Sequence, residues 1–157
     1  MSNLHLICGL PGAGKSTLAR SLELEFPSVR MTPDEWLLKL GYDGNDAEAR
    51  RAIEALQWEM AERLLRLGLD VILEWGFWSR AERDGLRARA AAIGATTTVH
   101  FCDVPREELV RRLEQRAKTE PHSIMVNTAD LDRWIAQFEA PSLDEMEISK
   151  SSPDWMT

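Results

Sequence analysis

The sequence predicts a three-layer α/β fold with a central parallel sheet, and three observations predict it. Residues 9–16 read Gly-Leu-Pro-Gly-Ala-Gly-Lys-Ser, with Thr17 following, and fill the phosphate-binding pattern G-x-x-x-x-G-K-[ST] completely. That loop stands between an apolar strand and an amphipathic helix. Further along, short apolar runs alternate with helical segments, the arrangement of parallel strands joined by crossover helices that cover both faces of a sheet. At 157 residues the chain fits one domain, residues 1–157, large enough to bury a core without disulfides or metal.

The elements follow in order. Leu4 to Cys8 is the first strand, and Leu18, Leu22 and Phe26 repeat at helical spacing after the loop. Ser28 to Met31 is a second strand. Thr32-Pro33-Asp34-Glu35 reads as a helix start, with Thr at the N-cap, Pro in the first helical position and Glu completing a capping box; Gly41 ends that helix. From Asp46 to Leu67, Ile53, Leu56, Met60, Leu64 and Leu67 mark a long amphipathic helix stopped by Gly68. Val71 to Leu73 is the third strand, and a Ser79-to-Glu82 capping box opens a helix that carries Leu86, Ala90 and Ile93 inward and ends at Gly94. Thr96 to Cys102 is the fourth strand. Pro105 opens a helix running to about Lys118, a polar stretch spans 119–127, and Leu131, Trp134, Ile135 and Phe138 mark a further helix. Met146 to Ile148 reads as an edge strand or as coil, and residues 149–157 as a loose tail.

Bulk properties exclude several classes. No apolar run approaches a membrane span and no signal peptide precedes the first strand, so the expected location is cytoplasmic. Cys8 and Cys102 suit reduced thiols at strand ends. A net charge of −7 argues against a long nucleic-acid interface, which clustered Lys and Arg would hold. No D-x-x-G or N-K-x-D follows the loop, which excludes GTPase-type readings, and the chain lacks room for the apparatus of a motor-type ATPase.

The loop itself names a ligand. Its glycines let successive N–H groups turn inward on phosphate oxygens, with the helix dipole adding to the attraction. Gly9, Pro11, Gly12, Ala13, Gly14, Lys15, Ser16 and Thr17 form this nucleotide site, with Lys15 on the β- and γ-phosphates and Ser16 on Mg²⁺. In a parallel sheet the remaining chemistry gathers at the carboxyl ends of the strands. Asp34 and Trp36 follow strand two; Glu74, Trp75 and Trp78 follow strand three. Arg112 and Arg116, four residues apart, share one helix face.

The loop, Asp34, the strand ending in Glu74 and the Arg112–Arg116 helix together resemble the small P-loop kinases, in particular the group of polynucleotide kinase, chloramphenicol phosphotransferase and zeta-toxin-like kinases. Asp34-Glu35-Trp36 with Glu74-Trp75-Gly76-Phe77-Trp78 also resembles bacterial proteins described only as AAA-domain or ATP-binding proteins. The resemblance implies a P-loop NTPase fold of the nucleoside-kinase type, ATP and Mg²⁺ as cofactors, and transfer of the γ-phosphoryl group to a hydroxyl of a small molecule. It implies Asp34 as catalytic base, Glu74 on metal through water or on the acceptor, and Arg112 with Arg116 in a lid near 111–127. An acceptor pocket of Asp34, Trp36, Glu74, Trp75 and Trp78 follows, with aromatic walls suited to a sugar, nucleoside or aromatic metabolite.

Each residue also has a plainer reading. Asp34 suits a first helical turn, Glu74 an ion pair at a strand end, Arg112 a pair with Glu108, and the tryptophans the packing of a lid. Arg80 and Arg83 read as a solvated helix face, and Arg111 and Lys118 as solvated. Trp58 and Trp134 read as packed helix faces; His5 and His100 are strand histidines held locally, and His122 lies in a polar loop. A nucleotide-dependent switch and a nucleic-acid 5′-end kinase stand as alternative functions.

Overall fold

A computed structural model describes residues 1–146. The elements are β1 (Asn3–Cys8), α1 (Lys15–Glu25), β2 (Ser28–Met31), α2 (Pro33–Lys39), α3 (Ala47–Arg66), β3 (Asp70–Gly76), α4 (Arg80–Ala92), β4 (Thr96–Phe101), α5 (Arg106–Thr119), α6 (Thr128–Gln137) and α7 (Leu143–Met146). The four strands are parallel in the order β2-β3-β1-β4. The expected strand over 146–148 begins on the last residue of α7 and otherwise lies outside the described residues, as does the expected tail.

Period-two alternation in β1 and β3 divides the core into two layers. Leu4, Leu6, Val71 and Leu73 face Ala61 and Leu65 of α3 and Leu86 and Ala90 of α4. Ile7 and Ile72 face Ala19 and Leu22 of α1 on the other side. Cys102 joins that second layer to a cluster in which Ala13 of the phosphate loop packs on Leu109 and Leu113 of α5 and Leu131 of α6. No helix among the described residues is long and apolar enough to cross a membrane.

One irregularity sets the geometry at the top of the sheet. β1 and β3 pair in step from Leu4↔Val71 to Leu6↔Leu73, then slip so that Cys8 faces Gly76. The extra residue on β3 is a bulge, which ends regular pairing and redirects the chain. Gly76 takes φ 88° and Phe77 φ 49° beyond it. Glycine tolerates that backbone; phenylalanine does so only when held there.

Several expectations are corrected. Thr32 is the N-cap of α2 but makes no side-chain cap bond, and Glu35 bonds to Arg30 instead of closing a capping box. Arg83 belongs to the interior, not to a solvated face: its side chain is fully buried and pairs with Glu145 of α7, Nε to Oε1 at 2.7 Å and Nη2 to Oε2 at 3.2 Å. Arg80 is exposed but engaged with Asp144 at 2.6 Å. Other expectations hold. Ser79 caps α4 through the Glu82 amide at 3.1 Å, Gly41, Gly68 and Gly94 have positive φ after their helices, and both cysteines are free.

His5 and His100 stack across β1 and β4, with His5 Nδ1 and His100 Nε2 2.9 Å apart. Burial pushes His100 down to about 4, and neighbouring His5 adds to the shift. His5 is also lowered by burial, partly offset by Asp70 at 3.9 Å. The folded state therefore refuses protons that the unfolded chain accepts: stability is complete above the ordinary histidine value of 6.5 and drains away as pH falls toward 4. Calorimetry should show the melting temperature dropping by roughly 5 °C between pH 7 and pH 5. The drop should be smaller in His100→Gln.

Candidate functional site

The phosphate loop leaves β1 at a fixed point. The Gly9 amide donates to the Gly76 carbonyl at 3.0 Å, and the Ala13 amide donates back to Leu10 at 3.1 Å. Gly12 and Gly14 sit at φ 83° and 90°, which turns the intervening amides toward the loop's concave side. Gly14 is the N-cap of α1, so Lys15, Ser16 and Thr17 form the helix's first turn.

Lys15 is where the elements converge. Its Nζ donates to the Leu10 carbonyl at 2.9 Å. Burial lowers its pKa, and Glu74 and Asp34 oppose that shift, while Arg116 reinforces it. Charges on β3, α2 and α5 thus all bear on the same ammonium. Ser16 Oγ donates to Glu74 Oε1, and Arg30 Nη1 donates to Glu74 Oε2 at 3.3 Å. The hydroxyl and carboxylate are adjacent hard oxygen donors, which suits Mg²⁺.

Arg30 escaped the sequence reading. Its side chain is 12% exposed and binds Glu74, Glu35 at 2.9 Å and Glu23 at 3.5 Å. The signal was available: an arginine inside a short strand at a sheet edge, flanked by acids on either side in sequence. Arg50, also unassigned, pairs with Asp34, which is otherwise exposed on the first turn of α2, and lies 3.8 Å from Glu54. Asp34 thus stands on an exposed helix turn with a cation beside it.

On α5, Arg112 makes the expected pair with Glu108 and also touches the phosphate loop. Its Nε binds Glu108 at 2.9 Å, and its Nη1 reaches the Gly12 carbonyl at 3.4 Å. Glu108, gripped by Arg111 and Arg112, is held down at about 2. Arg111 is surface-exposed, as expected, but paired.

The tryptophans divide. Trp36 is half-buried on α2. Glu74 and Trp75 point to opposite faces of the sheet, so Trp75 lies away from Ser16 and among the residues that pack against α3 and α4. Its Nε1 donates to buried Gln57 at 2.8 Å, and its ring stacks on Phe77. With Trp58, Glu54 and Arg89 it lines a separate open cleft of about 370 Å³. Trp78 packs on Trp134, ring centres 5.9 Å apart.

The chain belongs to the AAA domain family, whose pattern matches residues 4–141. Among solved structures, a chain of the Pnkp1/Rnl/Hen1 RNA repair complex is similar with TM-score 0.72 at 24% identity, covering 87% of this chain and 43% of that one. Kti12 of Chaetomium thermophilum, in complex with ADP-AlF3, has TM-score 0.69 at 17% identity over 88% of this chain and 81% of its own. The APS kinase CysC of Mycobacterium tuberculosis, bound to AMPPNP and APS, has TM-score 0.58 at 22% identity over 76% and 72%. The chain therefore spans less than half of the repair-complex chain it matches. No curated protein sequence matches it. The shared fold is that of the P-loop kinases, the group the sequence resembles.

Arg30→Met should leave Glu74, itself 8% exposed, without its cation and cost about 3 kcal/mol in urea unfolding. In a Glu74→Gln background the same substitution should cost much less, because the buried charge it strands is gone.

Proposed function

We propose that this AAA domain protein transfers the γ-phosphoryl group of ATP to a hydroxyl of a small molecule such as a sugar, a nucleoside or an aromatic metabolite. The observation that carries this reading is a complete phosphate loop whose Ser16 hydroxyl meets the Glu74 carboxylate and whose Gly12 carbonyl is reached by Arg112 of α5 at 3.4 Å.

The roles follow from placement. Loop amides hold the β-phosphate, and Lys15 exchanges the Leu10 carbonyl for phosphate oxygens. Ser16 and, through water, Glu74 would hold Mg²⁺, which neutralises charge on the β- and γ-oxygens when bound. Asp34 takes the proton of the acceptor hydroxyl as its oxygen bonds to the γ-phosphorus, while the bond from that phosphorus to the bridging oxygen breaks and ADP leaves. Arg116, with Arg112 anchored on Gly12, stabilises charge on the transferring group. Trp36 walls the acceptor beside Asp34, while Trp75, on the other face of the sheet, takes no part in the pocket.

A second reading, a nucleic-acid 5′-end kinase, is favoured by the likeness to the RNA repair complex. Against it stand the net charge of −7 and the carboxylate partners of Arg30 and Arg50 beside Asp34.

A screen of small hydroxyl compounds with γ-labelled ATP tests the proposal. Lys15→Ala should weaken ADP binding by about 100-fold. Asp34→Asn should bind ADP like the wild type and lose transfer by about 10²- to 10⁴-fold. Full transfer by Asp34→Asn would remove Asp34 from the role of base.

A further inference from the structure

The loop that follows α2 meets the segment that follows α5. A methyl carbon placed on Gly44 would lie 2.4, 2.7 and 3.0 Å from Cγ1, Cδ1 and Cγ2 of Ile124. Ordinary carbon contacts are about 3.5–4.0 Å, so the Ile124 side chain rests on bare Gly44 backbone in space that any other residue would fill.

Both sides of this contact are held. In the Gly44 loop the Tyr42 amide donates to Leu37 at 3.0 Å, the Asn45 amide to Asp43 Oδ1 at 2.8 Å and the Asp46 amide to the Asp43 carbonyl at 3.0 Å. Asp46 then caps α3 through the Ala49 amide at 3.0 Å. On the opposite side, two residues beyond Ile124, Val126 packs into the cluster of Ala13, Leu109, Leu113 and Leu131. The first loop extends α2, which carries Asp34; the second extends α5, which carries Arg112 and Arg116. Asp34 and Arg116 both act on Lys15. Arg112 of α5 reaches the Gly12 carbonyl at 3.4 Å, and Glu35 of α2 is joined through Arg30 and Glu74 to Ser16, so the contact bridges two elements that are each tied to the phosphate loop.

We infer that Ile124 on Gly44 is a clasp that closes the site and limits the acceptor to a compact molecule enclosed entirely within it, excluding the end of a polymer. The clasp makes the walls move together: neither Arg116 nor Asp34 can draw back while Ile124 is seated, so nucleotide release requires it to part. What the enclosed space accepts rests on the phosphotransferase reading; that the clasp gates the nucleotide does not.

The test has two arms. Release of N-methylanthraniloyl-ADP is timed by stopped flow from the full chain, with Lys15→Ala defining non-site signal. Gly44→Val, which forces the loops apart, should release the probe at least about 5-fold faster, and the surface truncation Ile124→Ala should also speed release. The double variant Gly44→Val/Ile124→Ala, in which valine fills the space isoleucine vacates, should return to within about 2-fold of the wild type. Unchanged release in both single variants, or no recovery in the double, overturns the clasp. In the second arm the wild type is given γ-labelled ATP with either a 5′-hydroxyl dodecanucleotide or a pool of nucleosides and monosaccharides. Label on the dodecanucleotide overturns the size limit; label on the pool alone supports it. Label on no acceptor counts against the phosphotransferase reading, and the release arm then decides the clasp by itself.

Discussion

The placement of the phosphate loop depends on one seam, where the Gly9 amide meets the Gly76 carbonyl just past the β3 bulge. The next carbonyl, that of Phe77, accepts from the Cys8 thiol at 3.2 Å and from Arg83 Nη1 at 2.8 Å. Burial pushes Cys8 up to about 12, so the thiol keeps the proton it donates. A phenylalanine at positive φ costs on the order of 1–3 kcal/mol and persists only where its surroundings over-determine it. Two donors on its carbonyl and a stacked Trp75 ring on its side chain meet that condition. If Phe77 relaxed, Gly76 would turn with it and the first glycine of the loop would lose its anchor.

Electrostatics around the loop follow a second pattern, in which cations are committed to carboxylates before any ligand arrives. Arg30 serves Glu74 and Glu35, Arg50 serves Asp34, and Arg112 serves Glu108. Lys15 differs: its hydrogen-bond acceptor is a neutral carbonyl, and it lies in surroundings that disfavour its charge. A phosphate anion displaces a neutral acceptor readily, since charge-assisted hydrogen bonds are roughly twice as strong as neutral ones. Lys15 is thereby the cation of the loop whose partner an anion can most readily replace.

Local signals were legible in the sequence, and pairings across distance were not. The loop, four strands and most helix ends were readable because glycine, proline and capping residues act within a few positions. Arg83 was misread because helical spacing near Ser79 could not show that Glu145, 62 residues later, would be folded onto it. Arg30 and Arg50 were missed for the same reason, their carboxylates belonging to other elements. The facing of Trp75 failed differently. Its position after the third strand suggested the acceptor side, whereas alternation along β3 gives that side to Glu74 and turns Trp75 toward α3 and α4.

The buried Arg83–Glu145 pair also bears on when, during synthesis, the loop becomes competent. A nascent chain that has emerged through residue 137 contains every strand among the described residues and the whole phosphate-binding motif. At that stage Arg83 still lacks the carboxylate that neutralises it, and a guanidinium without a partner resists entering the dry space beneath Phe77. The Phe77 carbonyl then keeps the Cys8 thiol as donor and lacks the stronger one. The last described helix, only four residues long, thus completes the support of the seam once it brings Glu145 to Arg83.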